Sequence, residues 1–205
     1  MSRPGAGAAI RVRQYRDVPT HVALLRGINV GGRNRVAMAD LRKVVASLGH
    51  TDVATYIQSG NVVFTSQEVN STALAATLER AIADALTVRP RVVVLSRNEL
   101  AQVIADNPFP DETNPKCLHA AFRSEEMRPD EVAAIAAAVG RVREKGSRDE
   151  AQVVGHTLYL RTPDGFGRSE LAAQLARPAG ALAGLASATM RNWATVGRLL
   201  AMCEA

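Results

Sequence analysis

The order of local signals along the chain recurs after about 95 residues, and that recurrence limits the fold more than any single motif. An apolar strand at Val22–Arg26 leads to a helix over about Met38–Leu48, with Leu41, Val44, Val45 and Leu48 on one face and Gly49 as its stop. Strands near Val53–Gln58 and Asn61–Ser66 pair across Ser59-Gly60. A helix at Ser71–Leu86, a valine-rich strand at Arg91–Leu95 and a helix opened by the capping box Ser96-Arg97-Asn98-Glu99 follow. From Lys116 the order repeats: a strand to Arg123, a helix from Pro129, a hairpin of Ala151–Val154 with Thr157–Arg161 around Gly155-His156, and a short helix capped by Ser169. A strand is expected at Leu185–Thr189, and Arg191-Asn192-Trp193 opens the last helix.

The element order repeats; the letters do not. Each βαββαβ unit has the split-βαβ, ferredoxin-like order, so the chain reads as α+β, with two tandem ferredoxin-like subdomains that each carry an added C-terminal helix. Three prolines in Asn107–Pro115 cannot continue any element. The expected organisation is a disordered basic extension over 1–19, a first subdomain over 20–106, a Pro-rich linker over 107–115 and a second subdomain over 116–205. Connectivity also places ligand-facing loops. The first two strands of such a unit run parallel, so the loop after the first and the hairpin after the second share one end of the sheet.

Those two segments hold the chemistry. The loop Arg26-Gly27-Ile28-Asn29-Val30-Gly31-Gly32-Arg33-Asn34-Arg35 carries three arginines and two amides among glycines, and the hairpin tip is Gln58-Ser59-Gly60-Asn61. Glycine lets backbone N–H groups approach a ligand, and arginine complements an anion. The candidate ligand-binding residues are therefore Arg26, Gly27, Asn29, Gly31, Gly32, Arg33, Asn34, Arg35, Gln58 and Asn61, with Arg191 and Asn192 as a second tier. The bland alternative is that Gly31-Gly32 only turns the chain and the amides bond local backbone. Gly27 and Gly32 have phosphate-loop spacing, but Arg33 and Asn34 stand where that loop needs lysine and a hydroxyl, so nucleotide hydrolysis is rejected.

Acid–base chemistry has little to work with. Cys117 and His119 alternate on one strand, but no third ligand lies nearby; no metal and no cofactor are implied, and catalytic residues stay unassigned. The pI near 9.8 invites nucleic acid. However, Arg3, Arg11, Arg13 and Arg16 against Asp17 place +3 of the net +5 in residues 1–19, leaving a nearly neutral body. Arginine outnumbers lysine 22 to 3, which reads as compositional bias. Only eight residues are aromatic, few for stacking single-stranded bases. No apolar run approaches a membrane span, and two cysteines form no disulfide framework, so the expectation is a cytoplasmic protein without membrane contact. A small anionic ligand is the favoured partner. Nucleic-acid binding, an enzyme on a phosphorylated metabolite and a protein–protein module are the alternatives, and oligomeric state is not readable.

The run ALLRGINVGG, continuing to TYIQSGNVVF, closely resembles a bacterial family of domains of unknown function, DUF1697. The stretch Thr189-Met190-Arg191-Asn192-Trp193-Ala194-Thr195-Val196 resembles that family's T-x-R-N-W-x-T-V signature, with Ala194 where the family more often has asparagine. The likeness covers about Thr20–Glu204. It implies a cytoplasmic protein with duplicated ferredoxin-like halves, and it implies no activity.

Overall fold

A computed structural model describes residues 20–177, 185 and 187–205. The expected extension at 1–19 lies outside them. The elements are β1 (His21–Leu25), α1 (Met38–Ser47), β2 (Thr51–Tyr56), β3 (Asn61–Thr65), α2 (Ser71–Ala85), β4 (Val92–Ser96) and α3 (Arg97–Ala105). After these come β5 (Leu118–Phe122), α4 (Pro129–Glu144), β6 (Glu150–Val154), β7 (Thr157–Arg161), a single 3-10 turn at Phe166–Arg168, α5 (Glu170–Leu175), β8 (Thr189–Asn192) and α6 (Trp193–Met202). β3, β4 and α3 are answered by β7, β8 and α6 at offsets of 96, 97 and 96 residues.

The strands form two antiparallel four-stranded sheets, ordered β2-β3-β1-β4 and β6-β7-β5-β8. β1 reads HVALL with every residue buried, because the sheet is covered on both faces. Ala23 and Leu25 point to a core shared with Leu41 and Val45 of α1 and Leu78 and Ile82 of α2. Val22 and Leu24 point the other way, into a core with Val63, Ala120, Phe122, Leu100 of α3 and Val196 and Leu199 of α6. That central core belongs to both sheets, and α3 touches α6 within it. A third core joins Ala121, Leu158 and Leu160 to Ile135 and Val142 of α4 and to Leu171 and Leu175 of α5.

Local chemistry fixes several ends. Ser96 Oγ accepts from Glu99 N at 3.1 Å and Glu99 returns to Ser96 N at 2.6 Å, so the expected capping box forms. β2 starts earlier than expected, at Thr51, and its register shifts between Thr51 and Ala54 around Asp52 at φ 51°. Periodicity cannot see such a bulge. The strand expected at Leu185–Thr189 is displaced to Thr189–Asn192, pairing Phe122 with Thr189 and His119 with Asn192. Arg191 is therefore a strand residue, and Asn192, at the strand end, caps α6 by accepting from Thr195 N at 2.9 Å. Apolar letters favoured the earlier window, but Leu185 and Ala188 pack in the third core outside any strand.

Candidate functional site

The loop after β1 is a small built structure. Gly27, Asn29, Gly31, Gly32 and Asn34 all have positive φ, between 48° and 77°. Val30 and Arg33 pair, Arg33 N donates to Val30 O at 3.0 Å, and both residues between them lie at positive φ, the pattern of a tight type I′ hairpin turn. Gly31 and Gly32 thus have turn duty. Asn29 ties three segments: Oδ1 accepts from Val36 N at 2.8 Å, while Nδ2 donates to Val36 O at 3.0 Å and Gln58 O at 2.9 Å. Asn34 Nδ2 donates to Gly27 O at 2.9 Å. The last Asn29 bond joins the loop to the β2–β3 hairpin, the neighbourhood that connectivity alone required.

Beneath the hairpin lies the contact that sequence reasoning missed. Arg191, from the other sheet, donates through Nε to Asn61 Oδ1 at 2.5 Å and through Nη2 to Leu25 O at 2.8 Å, Ser59 O at 2.9 Å and Gly60 O at 3.3 Å. Its Nη1 donates to Met190 O at 2.8 Å. Burial pushes the guanidinium down to about 10, so it remains charged at neutral pH. Asn61 is fully buried, and its Nδ2 donates to Tyr56 O at 3.0 Å and Ser59 Oγ at 2.9 Å, which leaves only Oδ1 to face the arginine. Gly60 is required here: a Cβ would sit 2.7 Å from Leu25 Cβ and 2.9 Å from Ile28 Cδ1. The one sequence signal was a cation in the expected start of a helix whose first residue is an aromatic. That said nothing about carbonyl groups more than 130 residues away.

Of the remaining candidates, Arg33, Arg35 and Gln58 face solvent and Arg26 is half-buried. Arg33 and Arg35 are exposed and have no side-chain partner among the described residues. Arg26 donates to Ala188 O. Asn29, Gly32, Arg35, Val36, Ala37 and Gln58 line an open cavity of about 430 Å³. Ala37 is the N-cap of α1 and supplies no side-chain hydrogen bond, so the first N–H groups of this ten-residue helix lack the oxygen that Asn70, Ser96, Ser169 and Asn192 give their helices. Asp40, in the first turn, is engaged by Lys43 at 3.2 Å.

Among the described residues, no carboxylate, imidazole or thiol lines this cavity. It can hold negative charge; it offers no general base. Cys117 lies just before β5 with its thiol toward Pro163 O, while the His119 ring lies tilted against Phe166 at a centroid distance of 4.3 Å, so the two have separate partners. No group of three His, Cys, Asp or Glu among the described residues could hold a metal ion. Phe64, Phe122 and Tyr159 are buried in the cores rather than displayed for stacking, and the Tyr159 hydroxyl donates to Val103 O at 2.8 Å. No helix among the described residues is long and apolar enough to cross a membrane.

The family model described as "Protein of unknown function (DUF1697)" matches residues 18–159, and the chain belongs to this family. The match takes in the glycine–arginine loop and the hairpin; the Arg191-Asn192-Trp193 segment lies beyond it. No curated protein matches the sequence. Among solved structures, the conserved bacterial protein SP0830 from Streptococcus pneumoniae is similar in fold, with a TM-score of 0.68 and 22% identity over 91% of this chain and 99% of that one.

Proposed function

We propose that this DUF1697 chain binds a small anionic or phosphorylated ligand where the β1–α1 loop meets the β2–β3 hairpin. The observation that carries the reading is one cavity lined by both Arg35 and Ala37: a guanidinium without a carboxylate partner among the described residues, beside a helix N-terminus without a side-chain cap. Each feature favours an anion, and their charges add. Arg35 and Arg33 supply charge, Gln58 a directional amide, and the first N–H groups of α1 the direct hydrogen bonds. Gly27, Asn29, Gly31, Gly32, Asn34, Asn61, Arg191 and Asn192 build the frame, and Arg26 flanks it. The architecture in this reading is two tandem ferredoxin-like subdomains with added C-terminal helices, supported by the matching strand orders, and the setting is the cytoplasm. That no described residue lining the cavity is a general base favours binding over catalysis.

Thermal shift of the full chain against inorganic phosphate, nucleotides, sugar phosphates and short RNA tests it. A ligand at a hundredfold its Kd stabilises by about 2.7 kcal/mol. The shift should vanish in Arg35→Ala and weaken in Arg33→Ala. A shift unchanged in both folded variants refutes the site, and a hit confined to RNA that fades steeply with salt reassigns the function to phosphate-backbone binding.

A further inference from the structure

A second cavity lies in the other half. The described residues between β7 and β8 include α5, a helix of 6 residues. Beside that short helix lies a cavity of about 380 Å³. Leu158, Phe166, Leu175, Leu185 and Met190 give it apolar walls. Small side chains at Ala121, Ala172 and Ala176 leave the room. The volume falls in the range of small-molecule sites, whose walls are mostly apolar with few polar groups.

One end is different. Arg26, Gly27 and Val30 of the loop after β1 form that rim, whereas Asn29, Gly32 and Arg35 of the same loop line the cavity on its other side. Among the described residues, Arg26 spends one N–H on Ala188 O and has no acidic partner, and no carboxylate lines the cavity. Val30 and Phe166, at 65% and 39% exposure, are among the few large apolar side chains open to solvent, and both border this chamber. An apolar chamber with an unneutralised guanidinium at its rim matches one kind of molecule.

We infer that this cavity binds a small carboxylate with an apolar body, its acid on Arg26 and its hydrocarbon part against Val30, Phe166 and Met190. The site is separate from the one proposed at Arg35. Alkyl chains extend along the apolar walls, so affinity grows with each buried methylene until the chamber is filled.

Isothermal titration of the full chain with butyrate, hexanoate, octanoate and octanol tests this. Affinity should rise about fourfold per added methylene along the acids. Octanol should bind more weakly than octanoate. Ala176→Trp, at an exposed position on the chamber wall, should abolish octanoate binding with the fold intact. Arg26→Gln keeps an amide donor and should erase the preference for octanoate over octanol. Arg35→Ala should leave octanoate binding unchanged. Absent binding, equal affinity for butyrate and octanoate, or octanoate affinity undiminished in Ala176→Trp overturns the inference. Loss in Arg35→Ala with retention in Ala176→Trp assigns the acid to the other cavity and also overturns it.

Discussion

Replacing Arg191 by methionine removes the guanidinium while keeping most of the stem, and it isolates the contact between the two sheets. Gly60 O keeps a donor, since Leu25 N binds it at 2.7 Å, but Asn61 Oδ1 and Leu25 O, on buried residues, and Ser59 O, on a half-buried one, would lose the donors described above. Asn61 cannot flip to compensate, because its Nδ2 is held by Tyr56 O and Ser59 Oγ. Two buried acceptors left bare cost about 1–3 kcal/mol each, centred near 4 together. Relief from burying a charged group returns part of that. The expected net loss is about 3 kcal/mol, which for a chain of this size lowers Tm by about 6–12 °C. Urea unfolding of wild type and Arg191→Met measures it, with Arg33→Met as a surface control expected within about 0.5 kcal/mol. A double-mutant cycle with Asn61→Ala should give a coupling of about 0.5–3 kcal/mol. A loss below about 1 kcal/mol in Arg191→Met, with no coupling to Asn61, would falsify the reading of Arg191 as the tie between the sheets.

Gly60→Ala should destabilise by about 2–4 kcal/mol in urea, from overpacking against Leu25 and Ile28 and a positive φ, whereas Gly31→Ala, with open space around it, should cost about 1–2; equal losses would contradict the packing argument. Ile57 is a β-branched residue at φ 49° and 53% exposed, so Ile57→Asn should raise stability by up to about 1 kcal/mol, and a lowered Tm would show that its side chain supports the hairpin. Burial holds His119, His50 and His21 below the ordinary histidine range. The unfolded chain then takes up protons first as pH falls through about 6.5, so stability should fall from pH 7 toward the lower folded values and level off below them. Monitored by Tm across that window, His119→Phe should flatten the slope, and an unchanged slope counts against burial of His119 as a cause.

Much of this fold was legible because its determinants are local. Ser96 and Glu99 find each other three residues apart, and the apolar run from Val22 declares a strand. Turn residues are legible for the same reason: Gly31-Gly32 suits two consecutive positive φ values. From element order and the parallel course of β1 and β2 it followed that Asn29 and Gln58 would be neighbours, and their hydrogen bond is there. The ligand role of that loop is a harder matter, since Asn29, Asn34 and Asn61 have polar groups committed to holding backbone. Arg33, Arg35 and Gln58 are left as the groups free to meet a ligand.

The sequence by itself determined the order of elements, their caps and turns, and which loops share an end of the first sheet. Only the tertiary structure decided that β8 begins at Thr189, that α3 and α6 share one core between the sheets, and that Arg191 reaches the carbonyl groups of Leu25, Ser59 and Gly60. The physical reason lies in the acceptors. Every residue carries a backbone carbonyl, so no letter marks the ones that a distant guanidinium will find; folding alone brings them within reach.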